Sequence, residues 1–186
     1  MLEELHTSRL LLRSFREDDT VALFQLRSDP GQMHFLDREL MQTTGEAAEL
    51  ITTMREAALR GTGYNWVLEE KGSSGMLGYA GIWRIDSKNS RGEIGYMLRK
   101  TREGNGLMTE ALAAVLHFAF SHIGLHSIEA NVNPGNDRSI RLLERCGFVR
   151  EAYFRENYKF RGKFLDTAVY TLLSADFKNQ DLPVSS

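Results

Sequence analysis

The sequence predicts an α/β domain built on a mixed, mostly antiparallel central sheet flanked by helices. Three observations carry this. Residues 64–69, 76–84 and 91–98 have strand character and are separated by short polar turns, the spacing of an antiparallel meander. Helical periodicity then takes over at 106–123, followed by a strand at 127–132 and a helix at 137–145, a strand–helix–strand order that brings neighbouring strands parallel. Two last strand-like segments, 150–160 and 164–173, meet at the turn Arg161-Gly162-Lys163.

Each element has its own signal. Residues 9–15 alternate into a strand, and Arg16-Glu17-Asp18-Asp19 opens a helix with Asp18 as the expected cap. Val21, Leu23, Phe24 and Leu26 give that helix its apolar face. A second helix is expected from Gly45 or Glu46 to Arg60, with Ala47, Leu50, Ile51 and Met54 at helical spacing and Gly61 closing it. Leu107, Met108, Ala111, Leu112, Val115, Leu116, Ala119 and Phe120 line the buried side of the long helix. Asn136 or Asp137 caps the next one, and Gly147 ends it. No Pro-, Gly- or Ser-rich linker divides the chain, so residues 1–175 form one domain and 176–186 a tail.

Composition excludes several classes. At 186 residues with 42% hydrophobic and 10% aromatic content, the chain can bury a core of its own. No apolar run approaches the roughly 20 residues of a membrane span. The opening Met1-Leu2-Glu3-Glu4 lacks signal-peptide features, and a cytoplasmic location is expected. A net charge of −2 provides no field for nucleic acid. The single cysteine, Cys146, has no disulfide partner, and the histidines show no metal spacing, so no metal is expected. Strands near the C-terminus are the expected place for homodimerisation.

The chemistry concentrates in residues 93–110. A strand runs into a basic loop, Arg99-Lys100-Thr101-Arg102-Glu103-Gly104-Asn105-Gly106, which opens the long helix at Leu107-Met108. Glycines allow close backbone approach, and free amides at a helix start attract anions, so a pyrophosphate suits this place. A tight turn that merely needs glycine explains it equally well. There is no Gly-Lys-Ser/Thr of a P-loop, and Thr109 stands where a dinucleotide fingerprint needs its third glycine. Downstream, Asn131, Asn136 and Ser139 place polar groups at a strand end and a helix start.

Together the segments resemble the GNAT superfamily of acyl-CoA-dependent N-acyltransferases. Thr101-Arg102-Glu103-Gly104-Asn105-Gly106 is similar to its Gln/Arg-x-x-Gly-x-Gly/Ala signature. Asn136-x-x-Ser139, the Leu-Glu-x-x-Gly-Phe run from Leu143 to Phe148, the opening Thr7-x-Arg9-Leu10-x-Leu12-Arg13 and Gly162-x-x-x-Asp166 resemble the RimJ/RimL-like subgroup, which contains ribosomal-protein N-terminal acetyltransferases. Two positions depart from the pattern. Thr101 replaces the first Gln/Arg, leaving Arg102 or backbone to serve, and Leu143 replaces the tyrosine that protonates the leaving thiolate.

The resemblance implies acetyl-CoA as co-substrate, lying between strands 93–98 and 127–132 where they splay apart. The thioester would be polarised by a backbone amide near Met97 or Leu98. The pyrophosphate would lie on Arg102, Glu103, Gly104, Asn105, Gly106, Leu107 and Met108, with Arg99 adding charge, and the pantetheine arm would meet Asn131, Asn136 and Ser139. Glu93 is the candidate base, on the strand face shared with Gly95 and Met97, and Ser139 the candidate acid. The acceptor is expected to be a primary amine, first the N-terminus of a protein and alternatively an amino acid, polyamine or antibiotic. A CoA-binding module without catalysis is the competing reading. Asp29, Asp37, Glu39 and Glu46 would suit a cationic acceptor, although a solvated face explains them equally.

Overall fold

The computed structural model describes residues 2–177. Eight strands form one sheet in the order β1-β2-β3-β4-β5-β6-β8-β7. They are β1 (Leu5–His6), β2 (Leu10–Ser14), β3 (Tyr64–Glu70), β4 (Gly78–Asp86), β5 (Arg91–Leu98), β6 (Ser127–Val132), β7 (Val149–Phe160) and β8 (Lys163–Leu173). All neighbours pair antiparallel except β5 and β6.

Helices cover both faces of the middle of the sheet, so β3 and the first half of β4 are buried on both sides, whereas β7 at the edge is largely exposed. On one face, α4 (Leu107–Phe118) and α5 (Asp137–Arg145) bury a core that includes Leu12, Trp66, Ile94, Leu112 and Leu143. On the other, α1 (Thr20–Ser28), α2 (Pro30–Met33) and α3 (Thr44–Arg60) cover Val67, Tyr79 and Met97. Trp66 and Val67, adjacent in β3, feed opposite cores, as alternation demands.

The decisive feature lies between β5 and β6. They pair in parallel only at Arg91↔Ser127, Gly92↔Ile128 and Glu93↔Glu129. Beyond that point β5 stays with β4 as far as Leu98, and β6 stays with β8 as far as Val132. Each strand keeps one neighbour and loses the other, so the sheet opens into a V.

Some boundaries differ from expectation. Asp19, not Asp18, organises the first helix start. Its buried carboxylate accepts the Arg16 amide at 2.7 Å and both terminal nitrogens of Arg13 at 2.8 Å, while Asp18 faces solvent. The α3 start is set by Thr43, whose hydroxyl accepts the Glu46 amide, and Gly61 ends the helix at φ 70°. The long helix is α-helical only to Phe118; Ala119–Ile123 widen into a π turn closed by Gly124 at φ 76°. Within the expected loop 29–44, Pro30 starts the single-turn helix α2, capped by Asp29. Of the expected tail, Asp176 and Phe177 belong to the final helix α6 (Ser174–Phe177), where Phe177 is buried. Residues 178–186 lie outside the described residues. Among those described, no helix is long and apolar enough to cross a membrane.

Candidate active site

Gly104 and Gly106 adopt φ 81° and 75°, left-handed conformations that glycine takes without the Cβ penalty. They deliver the chain to α4 with Gly106 as its cap, and no side chain fills that cap. The first amides of α4 are therefore left to an outside acceptor at the positive end of the helix dipole. Leu107 and Met108 are buried beneath, which fixes this helix end in place.

The basic side chains are arranged differently from expectation. Arg102 pairs with Glu70, and Arg99 turns to the Met76 carbonyl at 2.9 Å and to Gln25. Neither guanidinium faces the loop, because both meet partners on elements that the local sequence does not reveal. The Arg102 and Glu103 amides also serve the turn itself, bonding the carbonyls of Arg99 and Lys100. The Asn105 side chain bonds back to the carbonyls of Arg102 and Glu103. Positive charge reaches the loop instead from Arg9. Its Nε donates to Glu110 at 2.7 Å and its Nη1 to the Asn105 carbonyl at 2.9 Å. Glu110 also accepts the Thr7 hydroxyl and the Arg9 amide, so it clamps the N-terminal segment onto α4. Burial alone would raise its pKa, but these hydrogen bonds outweigh it and hold the carboxyl below the ordinary value. Arg138 of α5 pairs with Glu103 across the opening.

From this loop a cleft of about 2420 Å³ runs through the V to the far side of the sheet. Met97, Leu98, Gly104, Asn131, Asn136 and Ser139 all line it, as do Glu103, Gly106, Leu107 and Met108, whereas Arg99, Arg102 and Asn105 do not. Glu93 and Glu129 lie in it at the vertex, on the sheet face of α1–α3. Glu93 pairs with Arg84 at 2.7 Å, and its side chain is 15% exposed. A bulge in β4 turns Arg84 to φ 51° and so aims it across the strand. Glu129 accepts from Arg91 and from Asn131 at 2.8 Å.

On the opposite face Asn136 caps α5 by accepting the Ser139 amide, so the capping role is real whatever else Asn136 does. The Ser139 hydroxyl lies 2.8 Å from the Tyr96 hydroxyl. Desolvation pushes the Tyr96 phenol well above its ordinary range. Leu143, where the family pattern has tyrosine, is fully buried in the core.

The far end of the cleft is bridged. Asp37, held at φ 48°, accepts from the Tyr158 hydroxyl at 2.6 Å and from Asn133 at 2.8 Å. Burial and the Asp37 carboxylate both raise the Tyr158 phenol. Glu39 pairs with Arg161 of the β7–β8 turn. Of the four acids expected to meet a cationic acceptor, only Asp37 lines the cleft; Asp29 and Glu46 serve helix starts. Asp166 accepts the Glu156 amide at 2.8 Å and the Tyr153 hydroxyl at 2.5 Å.

The chain matches the model of the acetyltransferase (GNAT) domain over residues 9–149. It belongs to the GNAT acetyltransferase family. It is 30% identical to the uncharacterized N-acetyltransferase p20 of Bacillus licheniformis over 176 residues, spanning 95% of this chain and 99% of the relative. Its fold is similar to that of the Vibrio cholerae spermidine N-acetyltransferase in complex with CoA and spermine (TM-score 0.82, 22% identity, 92% and 99% of the chains). It is equally similar to RimL, the ribosomal L7/L12 α-N-protein acetyltransferase, in complex with CoA (TM-score 0.81, 20% identity, 92% and 98%). This GNAT enzyme is an acyl-CoA N-acetyltransferase with acetyl-CoA as co-substrate. Its cleft fits that donor: an unfilled helix cap flanked by two left-handed glycines at one end and an unpaired strand edge beside it. Among the described residues no group of three His, Cys, Asp or Glu side chains could hold a metal.

Two residues that the structure brings to this cleft were not singled out from the sequence: Arg9 was visible only as part of a motif and Tyr96 only as a strand residue, whereas Asp37 was among the four acids expected to suit a cationic acceptor.

Proposed function

We propose that this enzyme transfers acetyl directly to a primary amine, and that the amine is the N-terminus of a protein. Acetyl-CoA supplies the activated acetyl group. The amides from Gly104 to Met108 that the turn leaves free receive its pyrophosphate. The backbone of Met97 and Leu98, on the unpaired edge of β5, orients the thioester. Asn136 spends its oxygen on the Ser139 amide, which leaves its NH₂ for the pantetheine arm, with Asn131 across the V. Glu93 takes the proton of the incoming amine, directly or through a water. Ser139 returns a proton to the departing sulfur. Most of the acceleration comes from holding two substrates together.

The observation that carries the acceptor assignment is the extent of the cleft. Beyond the stretch assigned to the donor it runs on to Asp37 and Tyr158. It also continues along β7, past Phe154 and Asn157, where an extended chain has room. One observation favours a small polyamine instead. Asp37 and Tyr158 both line the cleft, and among the described residues Asp37 has only the neutral donors Asn133 and Tyr158 as side-chain partners.

A thiol-release assay with acetyl-CoA decides between them. It is run with peptides starting in Ala, Ser or Met, and in parallel with spermidine and other small amines. Turnover confined to peptides supports the first reading. Turnover confined to polyamines replaces it with the second.

A further inference from the structure

Leu143 leaves α5 without a phenol at the position where the family pattern has one, yet a phenol reaches the same helix from another element. Tyr96 stands on β5 with its side chain on the α4–α5 face, its ring packed against the large core. Its hydroxyl lies 2.8 Å from the Ser139 Oγ and 3.5 Å from the Ser139 carbonyl oxygen. Ser139 in turn is fixed by its amide bond to Asn136 at 3.1 Å and lines the cleft.

The direction of the short bond decides what Ser139 can do. A phenol is the stronger donor, and among the described residues the hydrogen-bond partners of the Tyr96 hydroxyl are both oxygens of Ser139. If Ser139 donated instead, the Tyr96 proton would be left with a carbonyl at the limit of hydrogen bonding, next to a desolvated ring. With Tyr96 donating, a lone pair of Ser139 Oγ is occupied and its own proton is released toward the cleft.

We propose that Tyr96 is the positioning residue of the acid step: it holds the Ser139 hydroxyl with its proton directed at the sulfur of the leaving group. This rests on the reading of Ser139 as the acid. In that step the amine nitrogen bonds the acetyl carbon and gives a proton to Glu93 or water. The carbon–sulfur bond breaks with its electron pair on sulfur, and sulfur takes the Ser139 proton. As that proton leaves, the Ser139 oxygen takes the Tyr96 proton across their hydrogen bond, Tyr96 regains one from water, and the proton that the amine gave to Glu93 or water returns to solvent to close the balance.

The test is a cycle of Tyr96→Phe, Ser139→Ala and the double variant, assayed for kcat and KM on the best acceptor. Tyr96→Phe keeps the ring and removes only the hydroxyl; an unchanged melting temperature confirms the fold. It is expected to lower kcat about 10-fold, the cost of one misdirected hydrogen bond, with both KM values within about two-fold. Ser139→Ala lowers kcat at least as much, and the double variant equals Ser139→Ala. With the acetyl selenoester of CoA, whose selenolate leaves without a proton, both single defects disappear. A merely structural role for Tyr96 would leave its defect unchanged with the selenoester. If Ser139→Ala lowers kcat and Tyr96→Phe does not, the positioning role is wrong and the acid survives. If Ser139→Ala is fully active, the acid assignment falls and this proposal with it. If the two losses multiply, Tyr96 acts independently of Ser139 and the proposal is overturned.

Discussion

Glu93 and Glu129 face each other across β5 and β6 at the last position where the two strands pair. Everything beyond this pair diverges, so the vertex of the opening carries two carboxylates on one face of the sheet. Each has a cationic partner, Arg84 for Glu93 and Arg91 for Glu129. Only Glu93 stands on β5, the strand whose free edge is proposed to take the donor.

Removing the Glu93 carboxylate therefore strikes the proton step and leaves donor binding intact. Glu93→Gln is expected to lower kcat about 100-fold or more, within the range of general-base catalysis, with KM for acetyl-CoA nearly unchanged. Steady-state kinetics checks this. The same change at Glu129 should cost far less.

The loop glycines make a second prediction. Gly106 sits at φ 75° with the Arg9 Nη2 only 3.5 Å from where a Cβ would lie. Gly106→Glu adds backbone strain of about 1–2 kcal/mol and a negative charge beside the amides proposed to receive the pyrophosphate. Affinity for CoA, measured by calorimetry, should fall at least about 10-fold while the fold persists.

Glu110 supplies a pH test. Its pKa in the folded state lies below the ordinary carboxylate value of 4.5 because Thr7 and Arg9 hydrogen-bond it against the cost of burial. A depressed carboxylate contributes stability above its unfolded pKa, and that contribution is lost as pH falls through the folded pKa. Glu110→Gln should lower the melting temperature near neutral pH, and the difference from the parent should shrink as pH falls below 4.5 through the depressed folded pKa. The expected cost is about 1–3 kcal/mol, that of weakening a partly buried charged hydrogen-bond set.

Cys146 makes the opposite kind of prediction. It is fully buried, and desolvation pushes its thiol up to about 11. Iodoacetamide at about pH 8 should leave the native enzyme unlabelled and active, then label it completely in denaturant. No acyl-cysteine intermediate can form at such a site.

Much of this could be seen in the chain. The meander, the parallel crossover and the glycine loop are local patterns, written in hydrophobic alternation and in residues that tolerate φ > 0. The placement of Asn131, Asn136 and Ser139 around one cleft followed from a strand end and a helix start, and that of Met97 and Leu98 from the family resemblance. What escaped depends on distant partners. Arg102 points to Glu70, 32 positions earlier, and Arg9 reaches Asn105, 96 positions later. Asp37 meets Tyr158 over 121 positions. A local pattern identifies a cation or a phenol but not the partner that the fold assigns to it. The cap at Asp19 was missed for the same reason: Arg13, buried with Glu69 across the strand pair, draws that carboxylate inward.

Direct transfer requires donor and acceptor to be held together in one cleft. Initial rates with acetyl-CoA and acceptor varied together test this. The structure calls for intersecting double-reciprocal lines, because donor and acceptor must both be bound before acetyl moves. Parallel lines, with acetyl retained on the enzyme in the absence of acceptor, would mean a covalent intermediate and would contradict it.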